Sequence, residues 1–334
     1  MSDTEIRLLT VILNYRTPEM TEQAAEAALR EMEGIAGEIL IVDNDSGDGS
    51  FETLSAAIRR RGWNADNRVR VLQSGHNGGY GYGNNVGIRA GLSDGRRPDF
   101  IYVQNSDAFP DPGAIHRLLE ALLADPKVGF AGSYIHGEDN TPHETAFRFP
   151  SVLGELEGAA HTGPVSRLLD RWRVSLPLPD ETVEMDWICG ASVLMRMDTL
   201  DAIGLYDETY FLYYDETDLC RRVWAGGWKI LYVRESAVTH IGSVSTGMKT
   251  WTRIPGFWLD SRLHYLTKHH GVLYAMGADC ALVIGSAIYG LRRLTGKPRR
   301  APKGFLRDLL LHDLAALGRG LVGGVRRKRS AQYV

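Results

Sequence analysis

Up to residue 131 the chain alternates short apolar runs with stretches of helical spacing, and most runs end in a polar turn. The runs are Leu8 to Leu13 (LLTVIL), Glu38 to Val42 (EILIV), Val69 to Leu72, Phe100 to Val103 and Val128 to Ala131. They are short and rich in β-branched or aromatic side chains, so they read as buried strands. Between the first two, Thr17 is placed to N-cap a helix with Pro18 at its first position, followed by Ala24, Ala25, Ala28 and Leu29. After Pro112, the spacing of Ile115, Leu118, Leu119, Leu122 and Leu123 predicts another helix. Such alternation predicts an α/β fold, a mostly parallel central sheet flanked by helices.

The rest of the 334 residues is less regular, and the length allows one large domain or two smaller ones. Residues 137–182 are polar and proline-containing and predict no ordered series of elements. Trp187 to Met195 (WICGASVLM) reads as one strand, Leu205 to Tyr214 as a tyrosine-rich loop, and Thr217 to Ala225 as a helix. Lys229 to Val233 and Ala237 to His240 read as two short strands. Cys189, Cys220 and Cys280 form no CxxC pair and no disulfide framework, which points to a reducing compartment. The opening MSDTEIR is acidic and polar, unlike a signal peptide.

Candidate chemistry gathers at strand ends. In FIYVQNSDAFP, Asn105, Ser106 and Asp107 fall at the carboxyl end of a central strand, where open α/β sheets place ligands. A carboxylate beside an amide and a hydroxyl suits a hard divalent cation; a plain Asx turn is the competing reading. Asp43 and Asp45 also follow a buried strand and could accept from a pyrimidine N–H or a ribose hydroxyl; simple helix capping by Asp48 or Ser50 competes. The glycines of His76 to Gly83 (HNGGYGYG) fail the GxGxxG spacing, and the first strand ends in NYRTP without glycine, so a Rossmann phosphate turn is excluded. In FLYYDETDLCRR, Asp215, Glu216 and Asp218 crowd a helix start under the aromatic rim of Phe211, Tyr213 and Tyr214. They either cap the helix or include a carboxyl raised toward general-base range. His240 ends a strand before a small-residue loop, a placement that suits a metal or phosphate site.

In this order the blocks VILNYRT, IVDNDSGDGS, HNGGYGYGNN, QNSDAFPDPGAI, WICGASVLMR and FLYYDETDLCRR, closed by His240 and Ser245, resemble a family 2 glycosyltransferase of the GT-A fold, nearest to bacterial dTDP-rhamnosyltransferases. The resemblance covers about residues 7–270. It implies a nucleotide-sugar-binding half over 1–110, an acceptor-binding and catalytic half over 111–270, and a C-terminal helical extension over 271–334. Asn14, Arg16, Asp43, Asn77, Gly78, Asn105, Ser106 and Asp107 would meet the nucleotide sugar. Asp107 and His240 would hold a divalent cation, Mg²⁺ or Mn²⁺, and Arg262 would join them at the diphosphate. Asp186, Trp187 and Tyr214 would face the acceptor. Two departures stand out: Asn105 replaces the first acid of the Asp-x-Asp pattern, and the usual Glu-Asp pair is here Asp215-Glu216. By position Glu216 inherits the base role, with Asp215 as competitor. An inverting transfer follows, with dTDP-rhamnose as the favoured donor and a glycan or glycolipid acceptor. A UDP-hexose or UDP-galactofuranose donor, or a non-catalytic nucleotide-sugar-binding scaffold, remains open.

From Arg292 onward twelve Lys/Arg face only Asp308 and Asp313, although the whole chain carries a formal charge of −3. Ahead of them, Val272 to Leu291 contains one charge, Asp279, and is long enough as a helix to cross a bilayer. The buried acid and three glycines favour packing on the protein or lying in the interface instead. An acidic body with a basic tail predicts a cytoplasmic protein held peripherally at the inner face of the membrane, and nothing in the body supports nucleic acid as partner. A solvated, partly disordered tail is the competing reading.

Overall fold

Arg7–Asn14 (β1) is the hub of the sheet in the computed structural model, which describes residues 6–242, 244, 247–248, 251–293 and 302–318. Its side chains are buried almost throughout, as its LLTVIL core requires, and it pairs in parallel with Ala36–Asp43 (β2) on one side and Phe100–Asn105 (β4) on the other. Val69–Gln73 (β3) continues the parallel set beyond β2. Helices α1 (Pro18–Glu31), α2 (Ser50–Arg60) and α3 (Tyr80–Ala90) link these strands. The FIYVQN strand ends at Asn105, before either proline, and Pro110, expected to stop it, instead closes the next strand. A short strand then follows, Ala108–Pro110 (β5), which the sequence did not announce. Next come α4 (Ala114–Ala124) and β6 (Val128–His136).

The chain returns to this sheet with Val183–Glu184 (β7) and Ser192–Arg196 (β9), while Trp187–Ile188 (β8), between them, lies outside it. The expected single strand from Trp187 to Met195 is therefore broken at Cys189, Gly190 and Ala191. β9 runs antiparallel between β4 and β6. Helices α5 (Met197–Ile203) and α6 (Asp215–Ala225) precede Lys229–His240 (β10). The two short strands expected there are one, with an irregular register between Val233 and Ala237, because Arg234, Glu235 and Ser236 have no β6 partners. Among the described residues the sheet order is β3-β2-β1-β4-β9-β6-β10-β5, with β7 on β10. Leu8, Ile12, Ile39, Ile41, Tyr102, Leu118, Leu122 and Leu194 belong to its main core.

The chain forms two compact units. The first, Met1–Ala146, Pro177–Glu208 and Asp215–Gly247, holds the sheet. The second, Phe147–Leu176, Thr209–Tyr214 and Met248–Val334, is helical. Its helices are Val152–Ala160, Gly163–Leu168, Gly256–His270, Val272–Arg293 and Phe305–Gly318. Those within 137–182 carried no legible signal in sequence. Glycine allows close packing here: a Cβ at Gly285 would lie 2.7 Å from both the Ala159 Cβ and the Leu156 carbonyl oxygen. Arg262, only 1% exposed, ties four of these helices together through Glu155 (3.0 Å), Asp279 (2.8 Å) and Asp313 (3.6 Å). Ser245, Lys297, Arg299, Arg300 and Arg326 to Arg329 lie outside the described residues.

Candidate active site

The carboxyl ends of β1, β2 and β4 bring the first group of candidate residues together. Asn14 ends β1 and Asp43 ends β2, and both are buried. Asp43 Oδ1 accepts from Asn14 Nδ2 (2.7 Å) and the Ser46 hydroxyl (2.6 Å), while Oδ2 receives only the longer Ser46 N–H contact of 3.3 Å. Oδ2 is thus the oxygen with capacity to spare. Arg16, at a positive φ of 58°, is fixed by its own N–H and Nε to Ser46. Asn77 is joined to this edge through Asn44, whose amide donates to Asn77 Oδ1 at 3.0 Å. Gly78 stands before α3 where a Cβ would collide with the Tyr82 ring, so only glycine lets the chain pass there. Thr17 makes no capping bond to its helix; its hydroxyl reaches Asn14 and Ser106 instead.

At the end of β4 and the facing end of β10, Asp107 Oδ1 lies 3.1 Å from His240 Nε2, and Asp107 Oδ2 accepts from the Gly242 N–H at 3.1 Å. Asn105 Nδ2 stands 3.4 Å from the same His240 nitrogen. Burial alone would raise the Asp107 carboxyl, but the His240 hydrogen bond and charge, with backbone N–H groups, outweigh it and hold it below the usual range. A carboxylate, an imidazole and an amide therefore converge on one point. Among the described residues no group of three or more His, Cys, Asp or Glu side chains could hold a metal. This donor set fits a cation whose remaining ligands come from a bound diphosphate, rather than one caged by protein alone.

The second carboxylate centre opens α6. Asp215 is 1% exposed; its Oδ1 accepts from the Glu216 N–H at 3.1 Å and its Oδ2 has no hydrogen-bond partner. Glu216 is half-buried, and its Oε1 accepts from the Gly190 N–H at 2.9 Å. Burial and the neighbouring Asp215 charge push the Glu216 carboxyl up, and burial also raises Asp215. Asp218 does not compete, since it pairs with Arg222 at 2.9 Å. Tyr213 and Tyr214 both have positive φ, 66° and 63°, immediately before this helix. Two consecutive non-glycine residues in the left-handed region mark stored strain at the entry to the carboxylate pair.

The break at Cys189 to Ala191 joins the two centres. The Gly190 N–H holds Glu216, the Gly190 carbonyl accepts from the Tyr80 hydroxyl at 2.8 Å, and the Ala191 carbonyl accepts from the Asn105 N–H at 3.1 Å. Burial raises the Cys189 thiol to about 12, with the Glu216 and Asp107 charges both adding to the effect. Tyr80, Gly190 and Cys189 were not singled out as site residues from sequence. The signal for Gly190 was a lone glycine inside a strand pattern, which marks a bulge or a close backbone approach. Asp186 and Trp187, both half-buried, lead into this break. Tyr214 belongs to the second unit, where its ring packs on Trp258 and Tyr265. Arg262, expected at the diphosphate, is engaged by three acids of that same unit.

Residues 10–167 match the family model for glycosyl transferase family 2. The chain is 29% identical over 246 residues to the N-acetylglucosaminyl-diphospho-decaprenol L-rhamnosyltransferase of Mycobacterium tuberculosis, covering 70% of this chain and 76% of that protein. It is 24% identical over 220 residues to a low-salt glycan biosynthesis hexosyltransferase of Haloferax volcanii, covering 64% and 61%. Among solved structures, a mannosyltransferase from Pyrobaculum calidifontis in complex with GDP-Man and Mn²⁺ superposes with a TM-score of 0.53 at 14% identity, over 94% of this chain and 80% of that one. GalNAc-T7, solved with UDP, GalNAc and Mn²⁺, gives 0.53 at 13% identity; 71% of this chain is matched but only 44% of that longer chain. At such identities the structures speak to the fold. The structures give this chain a GT-A-like fold, while the family 2 glycosyl transferase match over residues 10–167 and the mycobacterial relative support a glycosyltransferase.

Proposed function

We propose that the chain transfers L-rhamnose from dTDP-rhamnose, with inversion at the anomeric carbon, to a lipid-linked glycan acceptor. The observation that carries this reading is the Gly190 junction, which connects a cation-suited Asp107–His240 pair to a base-suited Glu216. Glu216 takes the proton from the acceptor hydroxyl as that oxygen bonds to the anomeric carbon. The bond from that carbon to the diphosphate breaks, and its electron pair leaves with the nucleotide. Asp215, fully buried, keeps the Glu216 carboxyl basic by its charge and fixes the helix start. A divalent cation, Mg²⁺ or Mn²⁺, held by Asp107 and His240 with Asn105 alongside, would offset charge on the diphosphate. Asp43 Oδ2 suits a pyrimidine N–H; Asn14, Arg16, Asn77, Gly78 and Ser106 line the same strand ends. Asp186, Trp187 and Tyr214 are assigned to the acceptor. The mycobacterial relative supports rhamnose and a diphospholipid-linked acceptor, and such an acceptor implies a cytoplasmic enzyme working peripherally at the inner membrane face.

The test is donor turnover with a panel of nucleotide sugars, with Mg²⁺, Mn²⁺ or a chelator. Release of dTDP from dTDP-rhamnose, abolished by the chelator, is the expected result. Release from a UDP-sugar instead would reject rhamnose while keeping the reaction class, and turnover insensitive to the chelator would reject the cation role.

A further inference from the structure

The helix Val272–Arg293 is built inside out for a surface helix in water. Leu273, Met276, Cys280, Ile284, Ala287 and Leu291 recur at steps of three and four, so they form one line along its length. All six are exposed, Leu273 at 84%, Ile284 at 55% and Leu291 at 70%. Three of its polar or aromatic side chains are instead engaged by the protein. Asp279 pairs with Arg262, the Tyr274 hydroxyl accepts from the Val152 N–H, and the Tyr289 ring packs on His161. A surface helix in water shows the reverse arrangement. On the helix Phe305–Gly318, Leu311 and Leu314 are likewise exposed, on a line that starts at the exposed cations Lys303, just before the helix, and Arg307, which also pairs with Asp308.

We infer that this apolar stripe is a docking face for an anionic bilayer surface, on which the helix lies in the plane of the interface. An apolar line with cations beside it is the pattern of an interfacial helix on anionic lipid. Spanning would pull the buried Arg262–Asp279 pair apart and expose both charges to hydrocarbon. The proposal gives the lipid-linked acceptor read above its place of encounter, but its observations stand without that reading.

Flotation of the full chain with vesicles lacking any glycan lipid tests the two separately. The chain is expected to float with phosphatidylglycerol-containing vesicles and about tenfold less with pure phosphatidylcholine. The combined variant Met276→Gln, Ile284→Gln, Leu291→Gln should lose about tenfold or more of this binding. Its circular dichroism and its donor turnover in solution should stay unchanged. An environment-sensitive fluorophore on Cys280, the exposed thiol at mid-stripe, should shift to the blue only when anionic vesicles are added. The proposal is overturned if the wild type does not float, if the variant floats equally well, or if the fluorophore shifts with protein concentration alone. Loss of donor turnover with flotation intact would count against the proposed reaction and not against this face.

Discussion

A single missing Cβ sets the position of the base. A Cβ built on Gly190 would overlap Glu216 Oε1 and lie 2.8 Å from the Tyr80 hydroxyl. Gly190→Ala must therefore push the carboxylate out of the N–H that orients it, or shift the Tyr80 ring. We expect this variant to lower kcat by roughly a hundredfold, within the range that a positioned base supplies, while donor affinity stays near wild type because the strand-end groups around Asp43 are untouched. Equal losses in donor binding and kcat, measured by titration and steady-state kinetics, would mean that the substitution disturbs the sheet and not the base. The strand-end residues Asn14, Asp43, Asn105 and Asp107 were legible in sequence because buried runs end where they stand. Their bonding was not: which Asp43 oxygen is spare, and that Asn105 faces His240, depend on contacts between residues far apart in the chain.

Among the elements, periodicity located every strand of the parallel set, since short, mostly apolar runs that end in polar turns have few alternatives. It missed the Cys189 to Ala191 break, because the flanking residues are equally apolar and the interruption serves backbone hydrogen bonds to Glu216, Tyr80 and Asn105. Residues 137–182 stayed unread for a different reason. Their helices are short and take their stability from packing on the helix Val272–Arg293, with Gly285 against Ala159, rather than from local propensity. Arg262 shows the same limit: its sequence neighbours gave no hint that Glu155, Asp279 and Asp313 surround it. Replacing it should leave these three carboxylates without their cation. Arg262→Met is expected to destabilise the helical unit by about 3–5 kcal/mol, read as a lowered midpoint in denaturant unfolding; an unchanged midpoint would show that the cluster contributes nothing to stability.

At the scale of the whole molecule, the ordered series of motifs carried more than any one of them. The GT-A architecture, the family 2 domain and the glycosyltransferase reading were all legible in the sequence. Donor and acceptor identity were not, because pocket shape depends on side chains that no local pattern orders. The account rests on Glu216 as the group that takes the acceptor's proton, placed by Gly190 and kept basic by burial beside Asp215. The most direct measurement is transfer of rhamnose from dTDP-rhamnose to a lipid-linked N-acetylglucosaminyl diphosphate by the wild type and by Glu216→Gln, with dTDP-rhamnose binding measured in parallel. The account predicts transfer by the wild type, and in the variant a loss of about a thousandfold or more with donor affinity preserved. Undiminished transfer by Glu216→Gln would contradict it.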